Sequence, residues 1–582
     1  VIDKTVKAIE ANHGIKVDID KLDLEDDETY KIFAEGKTIG VFQFESAGMR
    51  EYLKQLKPTQ IGDLIAMNAL YRPGPMQNIP EFIARKQGKS KITYLHSSLE
   101  SILKETYGII VYQEQVMEIS QTIGGFTLAQ GDMMRRAMGK KKADLMAAFK
   151  VDFVEGAVKS GIKQKLAVEI FDLLEKFAQY GFNKSHSTAY ALVAYQTAWL
   201  KTHYPAEFLA ANMNTEMNDI DRIVTLINEV RESGIEIKPP DVNSSFPKFR
   251  AEKPDLITFG LSAIKNVGLK AAEKIAIERE NCGTFKTLFD LCKYVDLTSM
   301  NRKVIESLIL AGALDNLDGH RAQNFNAIED AIKFGQKFQE EKNSIQSNLF
   351  GGTLSNEILP TPELPDIDQW SKEECLIKEK ELIGFYLSGH PLENHLLDLK
   401  EFSNVNLANF DAKRLPKEIR VGGIITNVRN LFDKKNRPWA IVTLEGQVGK
   451  CEIFVFSESF EKHKDLIETD QMIFVVAAIS NRFDNGDMLL LTTDRIIPLK
   501  NVRKSLAKRV NIRLDESLTK NGLLDEIFIL SKENKGYCRL IFHLVQDQTT
   551  EKILAGKLHV NASQKFITGL RKLTANQNVW IT

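Results

Sequence analysis

The sequence predicts a multidomain chain: a largely α-helical first part, then a β-barrel, then a small α/β domain at the end. Three observations predict it. At 582 residues the chain exceeds what one hydrophobic core organises, so several domains are expected. Apolar residues recur at helical spacing, punctuated by Pro and Gly, through about residue 343. Between Ile419 and Pro498 five short runs of β-branched and aromatic residues are separated by turn chemistry. These signals, with the Pro239-Pro240 break and a polar stretch after Lys342, divide the chain at 1–238, 239–343, 344–400, 401–500 and 501–582.

Composition narrows the function class. Hydrophobic residues make up 43% and charged residues 27%, the balance of a water-soluble globular protein. No run approaches the roughly 18 apolar residues of a membrane span, and there is no signal peptide, so no membrane partner is expected. The five cysteines are scattered and form no Cys-x-x-Cys pair, which disfavours zinc and disulfides and suits a cytoplasmic protein. Net charge is −1, so any nucleic-acid binding must come from local patches. Val1 falls directly into a helical pattern, so the chain reads as a piece of something longer.

In chain order, Val1 to about Asn12 reads as a helix, followed by the acidic run VDIDKLDLEDDETY. On a strand, Asp18 and Asp20 would share a face, as two-metal phosphoryl transfer requires. In a loop they simply lead to a helix capped by Asp26 or Asp27 and holding Tyr30 and Phe33. The loop is the favoured reading, so no metal ligands are assigned. A helix from Asp63 to Leu70 ends at Arg72-Pro73-Gly74-Pro75, where Arg72 either touches nucleic acid or clamps the loop.

The stretch from Tyr107 to Lys142 opens with an extended apolar run, Ile109 to Tyr112, turns helical, and closes on Arg135, Arg136, Lys140, Lys141 and Lys142. Guanidinium pairs on a helix suit phosphate oxygens, and only Asp132 lies near enough in sequence to neutralise them. A solvated basic face is the plainer reading. A second stretch, Phe177 to Pro205, breaks at Gly181 and starts a new helix at Asn183, Lys184, Ser185, His186 and Ser187, with Ser185 or Ser187 as N-cap. A helix start with free N–H groups, a positive dipole end and a lysine is an anion site.

Further on, Phe259–Ile275 fits a helix–hairpin–helix, whose turn aims backbone N–H groups at a DNA phosphate. Lys265, Asn266, Gly268 and Lys270 are its candidate DNA contacts, with Asn266 standing where glycine is usual. A second copy follows at Met300–Leu317 with Gly312 as turn; a plain packing hairpin is the alternative. The five β runs are Arg420–Val428, Trp439–Leu444, Lys450–Phe456, Met472–Ile479 and Met488–Ile497, with a helix at Ser459–Ile467. That order implies an OB-fold, which binds single strands through basic and aromatic side chains. Candidates are Arg429, Lys434, Lys435, Arg437, Trp439, Phe454, Phe456 and Phe483, about half of which must be core. The segment from Val502 to Thr582 carries no chemical motif.

Read as whole strings, YGIIVYQEQ, RRAMGKKK and YGFNKSHS, with GVFQFES at Gly40–Ser46 and ALYRPGPM at Ala69–Met76, resemble the fingers of the bacterial C-family replicative DNA polymerases, the polymerase III alpha subunits. EKELIGFYLSGHPL at Glu379–Leu392 matches as well, so the likeness spans nearly the whole chain in the family's order.

The resemblance implies a DNA-directed DNA polymerase of the replisome that takes dNTP as substrate. Arg135, Arg136, Lys140, Asn183, Lys184 and His186 would hold the incoming nucleotide. Lys141, Lys142 and Arg72, the hairpin residues, and Arg429, Arg437 and Trp439 would contact primer-template or single-stranded DNA. Gln346, Leu349 and Phe350 sit where the family carries its sliding-clamp peptide, and the last domain would dock other holoenzyme subunits. The family's catalytic palm, with the carboxylates that hold Mg2+, lies upstream of the matching region. No catalytic or metal residue is therefore expected here, and the piece alone should be inactive. The competing reading is a non-catalytic DNA-binding adaptor built on the hairpin and the barrel.

Overall fold

The computed structural model describes residues 1–139, 143–178, 181–347, 360–407, 415–446, 449–479, 489–515, 522–546 and 549–582. They form two compact units, residues 1–370 with 381–385, and residues 371–380 with 386–582.

The first unit is built mainly from helices around two neighbouring cores. The helix Ile61–Leu70, IGDLIAMNAL, is apolar on almost every side and is buried accordingly. It packs along the helix Lys184–His203, and Phe33, Phe44, Met67, Phe82 and Tyr195 fill the space around them. Polar bonds fix the long helix in place. Ser187 Oγ donates to the Ile65 carbonyl at 2.6 Å, and Tyr195 Oη donates to the Asp23 carbonyl at 2.6 Å. Lys201 Nζ, buried, donates to the Lys37 and Ile39 carbonyls at 2.8 Å and to Glu229 at 2.6 Å.

The second core gathers helices Gln113–Gly124, Ala143–Lys159 and Gln164–Ala178 around Phe126, Phe153 and Phe171. Two of these helices cross at a pair of glycines. A Cβ on Gly156 would lie 1.9 Å from the Gly124 carbonyl oxygen, so the approach is open only to glycine. The apolar run Ile109–Tyr112 is extended, and Tyr112 forms a single parallel bridge with Phe182, while Phe177 packs against both cores.

Several local expectations take definite form. Asp26 caps the helix Asp27–Ala34, while Asp18 caps a 3-10 turn, Ile19–Lys21, so Asp18 and Asp20 do not share a strand face. The N-cap of Lys184–His203 is Asn183 rather than Ser185 or Ser187, its side chain accepting from the His186 N–H at 2.8 Å. Ser187 is spent on the Ile65 carbonyl instead. Leading into the polar stretch come two helices, Arg321–Asn326 and Ile328–Ser347.

A small sheet not anticipated from the sequence follows the first helical region. Its strands β1 (Glu236–Lys238), β2 (Arg250–Lys253) and β3 (Leu256–Thr258) lie in the order β1-β3-β2. In the hairpin after it, Asn266 adopts φ 71°, the left-handed conformation that its side chain tolerates, and the helix Leu269–Cys282 starts at Gly268. The element before the turn is a single 3-10 turn, Leu261–Ala263, rather than a full helix. The second hairpin runs from helix Arg302–Leu310 through Gly312 at φ 80°.

In the second unit, β4 (Ile419–Phe432), β5 (Pro438–Glu445), β6 (Lys450–Val455), β7 (Met472–Ile479) and β8 (Leu489–Pro498) close a barrel in the order β4-β5-β6-β8-β7. The helix Ser457–His463 sits between the third and fourth strands. Alternation explains the closure: β5 buries Ala440, Val442 and Leu444 on its inner face. Last comes a mixed sheet of β9 (Arg509–Asp515), β10 (Lys535–Gln546), β11 (Thr549–Val560) and β12 (Val579–Ile581), in the order β11-β10-β9-β12. Its core includes Val510, Leu540, Phe566 and Leu570.

Candidate nucleotide and DNA interface

The two stretches singled out in the sequence meet at the start of helix Gln113–Gly124. Gln113 Nε2 donates to the Gly181 carbonyl at 2.9 Å, and its Oε1 accepts from Arg135 Nη1 at 2.8 Å. The next residue, Glu114, accepts from Asn183 Nδ2 at 2.9 Å and from the Lys184 backbone N–H at 3.0 Å. Lys184 Nζ then reaches both oxygens of Glu105 at 2.8 and 2.7 Å. One polar chain thus links Arg135, Gln113, Glu114, Asn183, Lys184 and Glu105.

Asp132 serves both arginines. Its Oδ1 accepts from Arg135 Nε and Nη2 at 3.0 and 2.7 Å, and its Oδ2 lies 2.8 Å from Arg136 Nε. The Arg135 hydrogen bonds, seconded by the charge of both guanidiniums, hold the Asp132 carboxyl below the usual carboxylate range. Arg136 is 67% exposed at its side chain and Arg135 only 26%, so Arg136 is the more available of the two. Lys140, Lys141 and Lys142 lie outside the described residues.

Beside this polar chain runs a row of flat side chains. The Arg72 guanidinium sits 4.2 Å from the Phe182 ring centre. Phe182 and His186 are 5.4 Å apart, His186 and Tyr190 4.4 Å, and Tyr190 and Phe42 5.3 Å. His186 and Tyr190, four residues apart, share one face of the helix Lys184–His203, and Phe182 meets His186 edge-on from just before the N-cap. Arg72 also donates from Nε to the Ala69 carbonyl at 3.0 Å, and burial pulls its pKa down. It clamps its own loop. Phe42, at the end of the row, also lines a cleft of about 930 Å³ with Gln43, Ser46, Asn68, Tyr71 and Thr197. Gln43 is held at φ 63° there.

The hairpin candidates Lys265, Asn266, Gly268 and Lys270 are exposed together at one turn, though the Asn266 side chain points to Ser307 Oγ at 3.1 Å. On the barrel, Arg429 is paired with Glu452 at 2.6 Å, and Arg437 with Asp433 at 2.8 Å across its own turn. Trp439 and Phe454 are stacked with centres 6.3 Å apart, and Phe456 lies 5.8 Å from Trp439. Phe454 is buried and Trp439 partly exposed, so the stack runs from core to surface. Phe483, Leu349 and Phe350 lie outside the described residues, and of Gln346 only its place in the helix Ile328–Ser347 is described.

Among the described residues no set of three or more His, Cys, Asp or Glu side chains converges as a metal centre would need. The residues described therefore do not fit a two-metal site, and no step below is routed through magnesium. No helix among the described residues is long and apolar enough to cross a membrane.

The family model described as the bacterial DNA polymerase III alpha subunit finger domain matches residues 1–161, and that of the helix-hairpin-helix motif matches residues 234–324. The DNA polymerase III subunit alpha of Vibrio cholerae is 36% identical over 572 residues, covering 97% of this chain and 49% of that relative. The chain belongs to the DNA polymerase III alpha subunit family. The subunits of Pseudomonas aeruginosa and Escherichia coli K12 are 38% and 36% identical, over 98% and 97% of the chain and 51% and 49% of their own lengths. The chain therefore spans about half the length of the alpha subunits that it matches. Sequence reading quoted the string YQEQ from these fingers but assigned no role to Gln113 or Glu114. Their importance lies in contacts 68 to 70 residues away, which no local pattern carries.

Proposed function

We propose that this chain supplies the nucleotide-holding fingers and the DNA grip of a replicative DNA-directed DNA polymerase. The observation that carries it is the convergence of Arg135, Arg136, Asn183, Lys184 and His186 around the start of helix Gln113–Gly124, beside a row of rings in contact. Guanidinium and ammonium groups suit a triphosphate, and exposed ring faces suit a base. These side chains bind and orient the incoming dNTP. They do not move its proton or activate the attacking hydroxyl, which is work for two Mg2+ ions on carboxylates other than those described.

The rest of the chain grips DNA. The exposed turn at Asn266 presents backbone and lysines to a phosphate, and the barrel acts as an OB-fold whose Trp439 edge, with Arg429 and Arg437, stacks single-stranded bases. Gln346, Leu349 and Phe350 form the sliding-clamp peptide, and residues 501–582 dock other holoenzyme subunits. In domain terms the fingers occupy 1–238, the hairpins 239–343, the clamp peptide and linker 344–400, and the OB-fold 401–500.

The test is titration of the purified chain with dNTP and with inorganic tripolyphosphate by calorimetry. Replacing Arg135 and Arg136 with Ala should weaken both by ten-fold or more, each charged contact contributing about 1.5–3 kcal/mol. Equal affinity in the double variant would reduce the pair to surface charge.

A further inference from the structure

We propose that Asp132, Glu105 and Glu114 are built-in stand-ins for phosphate, which keep the anion-binding groups of the fingers neutralised until a triphosphate displaces them. The proposal rests on the nucleotide reading of this site and adds to it a group of selectivity-determining residues.

Arg135, Arg136, the Lys184 ammonium and the Lys184 backbone N–H each have a carboxylate on them. Arg135 and Arg136 share Asp132; Lys184 Nζ is held by both oxygens of Glu105; the first backbone N–H of helix Lys184–His203 is held by Glu114. Three cations, Arg135, Arg136 and Lys184, thus face three carboxylates. These six groups together carry no net charge when no ligand is bound. The geometry is the one phosphate oxygens would use: a guanidinium fork on one oxygen, an ammonium on an oxygen pair, and a helix N-terminal N–H on a third group.

These pairs are also poised to open. The side chains of Glu105 and Lys184 are 47% and 38% exposed, and those of Asp132 and Arg136 are 29% and 67% exposed. Ion pairs at that exposure contribute little, about 0–1 kcal/mol each, so a polyanion with several oxygens outcompetes them. A singly charged carboxylate or a lone DNA phosphate gains too little to displace all three. The carboxylates therefore set a threshold: the site opens to a ligand that brings several charges at once. Held in this way, Arg135 and Lys184 are also oriented before the ligand arrives, which lowers the ordering cost of binding.

The arrangement makes a prediction opposite to that of a plain structural ion pair. Asp132→Asn keeps the size of the side chain and removes one unit charge a few ångströms from the ligand. In screened water that should raise affinity for inorganic tripolyphosphate about five-fold and steepen the salt dependence of binding. Asp132→Glu, still a carboxylate, should behave as the parent does. Calorimetric titration of the 582-residue chain with tripolyphosphate, at two salt concentrations, reads both quantities, and far-UV circular dichroism reports whether each variant folds. Unchanged or weaker binding by a folded Asp132→Asn, in a chain whose binding still falls on Arg135→Ala/Arg136→Ala, overturns the stand-in role alone. If the arginine changes leave tripolyphosphate binding untouched, the nucleotide reading fails and the stand-in role fails with it. Should Asp132→Asn not fold, Glu105→Gln is measured instead, with the same rise expected and the same absence of a rise overturning the proposal.

Discussion

Lys201→Met should destabilise the first unit by about 3–5 kcal/mol, the loss expected when one member of a buried ion pair is removed. The magnitude follows from what surrounds the ammonium. Its side chain is 5% exposed and that of Glu229 7%, and all three N–H donors are used, on Glu229 and on the carbonyls of Lys37 and Ile39. Burial pulls the lysine's pKa down, and Glu229 opposes that shift. Methionine fills the same volume, so the loss comes from the stranded carboxylate and two unpaired carbonyls rather than from a cavity. Removing Glu229 as well, as Lys201→Met/Glu229→Met, should restore most of the loss, because the desolvation cost goes with the charges. Urea unfolding of the three variants measures the energies. Hydrogen exchange of residues 37–45 shows where the loosening begins, since the two carbonyls belong to the loop that carries Phe42 into the aromatic row. A single-variant loss below about 1 kcal/mol, or a double variant no better than the single, would refute the reasoning.

Two further changes test the frame of the site. Gly156→Ala places a methyl against the Gly124 carbonyl and should cost at least 1–3 kcal/mol by forcing two helices apart, read as a lowered urea midpoint. Asp26→Ala should cost about 0.5–2 kcal/mol at neutral pH as a lost cap. In Asp26, desolvation raises the carboxyl, but bonds from Thr29 and His203 and the histidine's charge outweigh it, and the net shift is downward from 3.8. A carboxylate depressed by folding adds stability above its unfolded value and loses it as pH falls through its folded one. The charge-dependent part of the Asp26 effect should thus vanish below pH 3.8, and unfolding midpoints across pH 2.5–7 would check it.

The sequence exposed the barrel well because strand alternation and turn residues are local signals. β5 and β6 start or end within a residue or two of their expected bounds, and β7 matches outright. β4 overran its expected end by four residues, to Phe432, because it continues into a hairpin arm paired with Trp439 and Pro438. Helices with strong punctuation, such as Ile61–Leu70 before Arg72-Pro73-Gly74-Pro75, were equally plain. Capping was legible only in kind. Asn183, Ser185 and Ser187 are all good caps by type, and the choice fell to Asn183 because Ser187 had a carbonyl of another helix to satisfy. At the site, the basic residues stood out but their carboxylate partners did not. Asp132 lies three and four residues from its arginines and was visible; Glu105 and Glu114 come from 70 to 79 residues away. The strand reading of Asp18 and Asp20 fails for the same reason that turns are common: a short acid side chain bonds the backbone two residues on.

The docking of helix Lys184–His203 has a consequence for synthesis on the ribosome. Its contacts reach back 172 residues to Asp23 and 122 to Ile65. Until that helix emerges, the helix Ile61–Leu70, with Leu64 and Met67, lacks its main packing partner, however well it forms. The nascent chain therefore carries an uncovered apolar face for as long as it takes to translate well over a hundred residues, about 6–24 seconds at roughly 5–20 residues per second. Closure of such distant pairs is slow as well as late. A chain truncated before residue 184 should be held by chaperones or aggregate, whereas one that extends past His203 can close its first core.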